Sequence, residues 1–163
     1  MRFVVLAMTA ALLMSGCGSS VLSIFKKDEI YERGLSHTKR AQIISSLETR
    51  AYITASRLKA IDPKTYHTGE SFLVGVLISD DRQEANQSGL YNKSLSYHLN
   101  GLSPLTITPI DVEDPLVKRL PHTNAWSRYY LVSFPDINGS PVLSFSLESF
   151  GEANLSFEAG SGE

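Results

Sequence analysis

Cysteine is nearly absent from this sequence: the 163 residues contain one, Cys17. A single thiol excludes an internal disulfide bond, a CxxC redox pair and a metal site built from cysteines. Basic clusters are also absent, because no run of Lys and Arg exceeds two residues and the formal net charge is −2. Nucleic-acid binding requires a basic surface that neutralises phosphates, so we expect no nucleic-acid partner.

Motifs for catalysis and metal binding are absent as well. The four histidines, at positions 37, 67, 98 and 122, have no spacing typical of zinc ligands. The sequence also has no GxSxG nucleophile elbow and no glycine-rich phosphate loop. We therefore predict no metal, no cofactor and no enzymatic activity. The alternative is a small hydrolase or ligand-binding protein whose site forms only in the folded chain.

Acidic residues gather in two stretches that end predicted strands. Residues 80–84 and 111–114 contain three carboxylates each. Calcium takes six to eight oxygen ligands, and neither stretch has the DxDxDG spacing of a calcium loop. We interpret both stretches as solvated turns and leave calcium binding open.

The N-terminus, in contrast, carries a clear signal. A basic residue, Arg2, precedes an apolar run over residues 3–14, and the small residues Ser15 and Gly16 follow. This order is typical of a secretory signal peptide. The apolar run is shorter than the roughly 20 residues that a membrane-spanning helix needs. We predict a signal peptide over residues 1–16.

The residues around the single cysteine add a second motif. Met14-Ser15-Gly16-Cys17 resembles the lipobox of bacterial lipoproteins, with Met an imperfect residue at its first position. The resemblance implies that the sulfur of Cys17 receives a diacylglycerol, that the chain is cut before this residue, and that the new amino group is acylated. The alternative is a free cysteine beside an ordinary cleavage site.

Lipidation at Cys17 would decide where the protein resides. Each buried methylene contributes about 0.8 kcal/mol and one acyl chain binds only marginally, so two or three chains would hold the protein on a membrane. The location that the resemblance implies is the cell envelope. Gly18 and Ser19 follow the cysteine, with no Asp of the kind that retains many inner-membrane lipoproteins. We therefore expect the outer membrane, facing the periplasm.

Period-two alternation of apolar residues predicts most of the strands. Residues 142–148 place Leu143, Phe145 and Leu147 on one face and serines on the other. Residues 71–79 form an apolar run whose length suits a strand buried on both faces. Further strands are predicted over residues 97–99, 102–110, 126–134 and 155–157.

The predicted strand over residues 126–134 carries the single tryptophan of the chain. Trp126 has the same parity as Tyr130, Val132 and Phe134, so these side chains share one face of the strand. We predict that the Trp126 ring is buried in the core.

Residues 38–60 carry two competing signals. Ile44, Leu47, Ala51, Ala55 and Leu58 recur at spacings of three or four, which favours an amphipathic helix. The β-branched and aromatic residues at positions 49 and 52–54 favour a strand. We predict a short helical or irregular approach that ends near residue 47, followed by a strand over residues 48–61.

These elements amount to about seven short strands with little helix. They predict a mainly β domain, an antiparallel two-layer sandwich of the immunoglobulin-like kind, over residues 36–158. Residues 17–35 are predicted to be the lipidated N-terminus and tether, and residues 159–163 a disordered tail. A domain of this kind without catalytic motifs is expected to bind another envelope protein or to have a structural or assembly role.

Three stretches share the form acid, any residue, Asn, any residue, Ser, and they centre on Asn86, Asn138 and Asn154. The form resembles the extended acceptor sequence of bacterial N-linked glycosylation, in which an acid stands two residues before the asparagine. Chance placement predicts roughly 0.1 such matches, although acids, Asn and Ser also gather together in turns. We predict glycosylation at all three, in the loop after Ile78, a hairpin at residues 138–139 and a turn around Gly151.

Overall fold

The computed structural model of the protein describes residues 28–79 and 84–159. The predicted signal peptide, Cys17 and most of the predicted tether lie outside these residues. Residues 80–83 of the first acidic stretch and most of the predicted tail lie outside them as well. Within the described ranges, no helix combines the length and the apolar character that crossing a membrane requires.

Eight strands and three short α-helices make up the described chain. The strands are β1 (Thr38–Ser45), β2 (Glu48–Arg57), β3 (Glu70–Ile78), β4 (Leu95–Leu99), β5 (Thr106–Ile110), β6 (Arg128–Phe134), β7 (Val142–Leu147) and β8 (Gly151–Ser156). The helices are α1 (Glu29–His37), α2 (Leu58–Ile61) and α3 (Pro115–Arg119), and 3₁₀ turns occupy Ala85–Gln87 and Gly89–Tyr91.

The strands form two antiparallel sheets. The large sheet has the strand order β1-β2-β3-β6-β5, and the small sheet has the order β4-β7-β8. Side chains of both sheets, among them Phe72, Phe134 and Phe145, pack into one apolar core. The prediction of a mainly β, antiparallel, two-layer domain is confirmed.

Two strands have the burial that their sequences predict. β3 lies inside the large sheet, where Phe72 and Val74 face the core between the sheets and Leu73 packs on the opposite face. In β7, Phe145 is buried between Leu143 and Leu147, whereas Ser146 is exposed. Each large apolar side chain buried in this way stabilises the fold by about 1.5 to 3 kcal/mol.

Helices cover part of the outer face of the large sheet. Leu58 and Ile61 of α2 and Val117 of α3 form a second apolar cluster with Leu73 and Tyr129 of the sheet. The sequence did not predict this layer, because helices of four and five residues are too short to have a period.

An ion pair joins the first helix to the third. The carboxylate of Asp28 caps α1 by accepting the backbone N–H of Ile30 at 3.1 Å. Nη2 of Arg119, at the end of α3, lies 3.3 Å from the same carboxylate. The hydrogen bond from Arg119 lowers the pKa of Asp28.

The prediction for residues 38–60 is wrong over its first half. The helix before the strands, α1, begins inside the predicted tether and ends at His37, and residues 38–45 form β1. The helical spacing is coincidental, because Ile44 is exposed on β1 whereas Ala51 and Ala55 face the core from β2. The β-bulge of this strand pair adds one residue, Arg50, to β2 opposite Ile43 and Ile44. Leu47 is fully exposed in the two-residue turn between β1 and β2, where Ser46 and Leu47 have φ of 53° and 66°. The second strand also ends early, at Arg57.

Both edge strands of the large sheet have features that interrupt strand pairing. β1 contains the charged residues Lys39 and Arg40, both exposed. β5 contains Pro109, which has no backbone N–H to donate. Oη of Tyr91 also donates to the carbonyl of Ile107 in β5, at 3.3 Å.

One end of the sandwich holds a buried ion pair. The guanidinium of Arg57 donates from Nε and Nη2 to the two carboxylate oxygens of Glu70, at 2.8 and 2.7 Å. The side chains are only 6% and 3% exposed. Nη1 of Arg57 donates to the carbonyl of Glu158 at 2.6 Å, so the pair joins β2 and β3 to the segment after β8.

Candidate interaction surface around Trp126

A hydrogen-bonded turn leads from the third helix into β6. Oδ1 of Asn124 accepts the backbone N–H groups of Trp126 and Ser127 at 2.9 and 2.8 Å. Nδ2 of the same side chain donates to Oγ of Ser127 at 3.0 Å. The asparagine therefore fixes both residues that precede β6, as expected for an Asx turn.

Tyr129 also forms hydrogen bonds with this turn. Its Oη accepts the backbone N–H of Asn124 at 2.6 Å and donates to the carbonyl of Asn124 at 3.0 Å. The ring of Tyr129 is buried in the second apolar cluster. Burial raises the pKa of Tyr129, so the neutral hydroxyl that makes both hydrogen bonds is the stable form.

Trp126 stands on this turn and is 80% exposed, so the prediction that its ring is a core anchor is wrong. The parity argument is correct for Tyr130, Val132 and Phe134, which are all buried in the core. Arg128 has the same parity, is exposed and begins β6. A charged residue at a position with the parity of the core indicates that the core ends there. Sequence reasoning missed this signal.

Two cavities flank Arg128. Trp126, Arg128 and residues 76–78 of β3 line a small cavity of about 130 Å³. A larger cavity of about 280 Å³ lies on the other side of Arg128, and its lining includes Tyr91, Asp111 and Tyr130. We call Leu77, Trp126 and Arg128, with these two cavities, the Trp126 surface.

The chemistry of the Trp126 surface suits recognition. Leu77 and Trp126 expose apolar area, and the exposed Arg128 beside them adds a charge. Tryptophan and arginine are the residues most enriched among binding hot spots. Because hydrogen bonds already fix the backbone of the turn, little backbone freedom remains to be lost when a partner covers the ring.

Histidine is missing from the lining of four cavities among the described residues: the two of the Trp126 surface, one between the three helices, and one on β1 and β2. The carboxylates of residues 111–114 are engaged locally, since Asp111 accepts the N–H of Glu113 and Asp114 caps the third helix. No group of three His, Cys, Asp or Glu residues in the described ranges could hold a metal ion.

The predicted modification sites lie apart from this surface in the sequence. Cys17 lies outside the described residues. Asn86, Asn138 and Asn154 are exposed, and each belongs to a different element. The predicted hairpin at residues 138–139 is wrong, because β6 and β7 belong to different sheets. The predicted turn around Gly151 is present over residues 148–150, but Asn154 lies beyond it and pairs with Ser144 inside the sheet, in β8.

Sequence reasoning therefore named none of the residues of the Trp126 surface as a site. The sequence analysis singled out Trp126 but predicted that its ring is buried in the core. Comparison of the chain with protein-family models, with curated proteins and with solved structures gives no match in any of the three.

Proposed function

We propose that this protein is a bacterial envelope lipoprotein whose sandwich domain binds a partner protein through the Trp126 surface. The observation that carries the proposal is a tryptophan, 80% exposed, on a turn that hydrogen bonds hold in place. Covering about 200 Å² of aromatic surface would contribute roughly 5 kcal/mol before the costs of association. A partner with an apolar pocket and an acidic or carbonyl group for Arg128 fits these residues.

The membrane anchor in this proposal is the acylated Cys17, and the expected location is the outer membrane facing the periplasm. The lipobox resemblance supports it. Cys17→Ala should abolish lipid modification and leave uncleaved or mislocalised precursor, because no other residue offers a thiol. Detergent-phase partitioning and intact mass measure the result. A variant that still partitions into detergent with the mass of the cleaved, acylated protein would contradict the anchor.

We also propose that the sandwich is of the immunoglobulin-like kind. Constant-type immunoglobulin domains have the strand order A-B-E-D in one sheet and C-F-G in the other. If β2 to β8 take the letters A to G, the orders β2-β3-β6-β5 and β4-β7-β8 match this scheme, and β1 is an additional edge strand. The described residues contain no cysteine, so the inter-sheet disulfide of antibody domains has no counterpart in them.

A second candidate function is the binding of a small polar ligand without catalysis. The cavity of about 280 Å³ beside Arg128 favours it, because Asp111, Arg128 and three tyrosines supply both charge signs and aromatic surface. The lining of this cavity contains no histidine, so it offers a hydrolase no imidazole as a general base.

Site-specific crosslinking in the native envelope tests the proposed function. A photoreactive amino acid at Leu77 reports on the Trp126 surface, and one at the exposed Ser146 of the small sheet is the control. We expect one discrete adduct from Leu77 and none from Ser146. Adding Trp126→Ala should lower the Leu77 adduct by about tenfold or more, as loss of a hot spot predicts. Equal adducts at both positions, or no effect of Trp126→Ala, would contradict the proposal.

A further inference from the structure

The three acid-x-Asn-x-Ser motifs are alike in sequence and differ in the folded protein. An enzyme that reads such a motif must reach the acid, the asparagine and the serine together, on a backbone segment that it can bind. Surface loops offer this, whereas strands and buried segments do not. Exposure of all three recognition residues therefore separates the motifs.

The motif at Asn86 has a buried serine. Glu84 and Asn86 are exposed, but Ser88 is 0% exposed. The carbonyl of Ser88 accepts the hydroxyl of Tyr130 at 3.2 Å, and Gly89 next to it packs against the same hydroxyl. An enzyme could reach Ser88 only if this packing opened. The serine of the motif is therefore inaccessible in the folded protein.

The motif at Asn154 is explained by strand geometry. Glu152, Asn154 and Ser156 are exposed at alternate positions of β8, and Ala153 and Leu155 between them are buried. A half-buried strand alternates polar and apolar residues in this way without any enzyme to recognise it. The backbone of β8 is paired along its length with β7, and an enzyme would have to pull Leu155 out of the core to bind it.

The three recognition residues of the motif at Asn138 are all exposed, and of its other residues only Ile137 is half-buried against the core. Asp136, Asn138 and Ser140 all reach solvent in the loop between the two sheets, and none of them belongs to a strand. Gly139 has φ of 91°, and a Cβ there would meet no atom within 4 Å. Asp136 is held in its charged form, because the hydrogen bond from Lys59 lowers its pKa, and its side chain remains 72% exposed.

We propose that Asn138 is an N-glycosylation site that the folded protein presents, and that Asn86 and Asn154 are not acceptors after folding. The donor class is an oligosaccharide carried on a polyprenyl diphosphate. A bond forms between Nδ2 of Asn138 and C1 of the first sugar, and the bond from C1 to the diphosphate oxygen breaks. The amide nitrogen loses one proton, and the diphosphate leaves with the bonding electrons. This inference requires export of the chain and is independent of the Trp126 surface.

Glycosylation of folded protein in vitro tests the inference. The full chain, folded and in detergent, is incubated with a bacterial oligosaccharyltransferase that requires the acidic residue and with its lipid-linked oligosaccharide. We expect the intact mass to rise by one oligosaccharide. Asn138→Gln should remove the addition, whereas Asn86→Gln and Asn154→Gln should keep it. Asp136→Asn should also remove it while leaving Asn138 in place.

Two controls make the result decisive. Synthetic peptides spanning each motif should all be modified, because a peptide hides no serine and has no sheet. Asn92, which is followed by Ser94 but preceded by Leu90 in place of an acid, should stay bare throughout. Modified peptides with an unmodified folded chain, or a folded chain modified at Asn86 or Asn154 as much as at Asn138, would overturn the proposal.

Discussion

The two ends of the sandwich reverse the usual distribution of residues. At one end, Arg57 and Glu70 are charged and almost completely buried. At the other end, the only tryptophan of the chain is 80% exposed. Charges are normally outside and large aromatic rings inside. Each end therefore contains an arrangement that needs a physical reason.

The reasons differ between the ends. The Arg57–Glu70 pair satisfies its own hydrogen bonds and also binds the segment after β8 through the carbonyl of Glu158, so its partners are all within the molecule. The backbone of Trp126 is fixed, but its ring remains in solvent. The first arrangement stabilises the fold, and the second leaves apolar surface for a partner.

The largest expected effect comes from breaking the buried pair. Glu70→Ala would leave the Arg57 guanidinium buried without a carboxylate, and we expect a loss of about 3 to 5 kcal/mol in the free energy of unfolding. Urea denaturation measures it. The double variant Arg57→Met with Glu70→Leu is the control. An apolar pair leaves no buried charge without a partner, so the loss in the free energy of unfolding should be smaller. A double variant that is as unstable as the single one would contradict this explanation.

A matched pair of aromatic variants sharpens the comparison. Phe145→Ala removes a fully buried ring and should lower the free energy of unfolding by about 3 to 5 kcal/mol. Trp126→Ala removes a larger but exposed ring and should change it by less than about 0.5 kcal/mol. Thermal and urea unfolding of both variants measure the difference. A loss above about 2 kcal/mol for Trp126→Ala would place the ring in a packing role after all.

The turn under Trp126 should have an intermediate effect. Asn124→Ala removes the acceptor for two backbone N–H groups, and we expect a loss of about 1 to 2 kcal/mol. Binding at the Trp126 surface should fall as well, although the ring itself is unchanged. Asn124→Asp keeps that acceptor and should recover most of the stability. Equal binding by wild type and Asn124→Ala would mean that preorganisation of the turn is unimportant.

The smallest expected effect depends on pH. Burial, with a contribution from the charge of Arg57, lowers the pKa of His37 below its usual 6.5. The unfolded chain therefore takes up this proton at a higher pH than the folded protein, so stability falls as the pH decreases through 6.5. His37→Gln should reduce the difference in free energy of unfolding between pH 8 and pH 5. An unchanged difference would assign the pH dependence to other groups.

Much of the sheet structure could be predicted because alternation reports directly on burial. Phe145 and its neighbours in β7 are the clearest case, and the apolar run of β3 correctly indicated burial on both faces. β1 was missed because Ile43 and Ile44 are adjacent and only Ile43 faces the core, which depends on how β1 pairs with β2. No property of residues 38–45 alone contains that information.

The site was harder to predict than the fold, and the reason is similar. Parity indicates which face a side chain points to, but it does not indicate where the opposite sheet ends. Trp126 has the parity of the core and lies beyond its boundary, which only the packing of the two sheets defines. The hydrogen bonds of Asn124 were equally invisible, since an Asn in a loop has many possible partners.

The edge strands of the large sheet affect how copies of the protein would interact when they are anchored on one membrane. A lipid anchor, as proposed, would confine many copies to a two-dimensional layer and orient them alike, which raises the rate at which equivalent strand edges meet. Open edges of this kind invite intermolecular strand pairing and aggregation. The exposed charges of Lys39 and Arg40 in β1 and the missing N–H of Pro109 in β5 disfavour such pairing on both sides of the large sheet. The large sheet is thereby protected from edge-to-edge pairing under crowding, which would leave the proposed Trp126 surface accessible to a different protein.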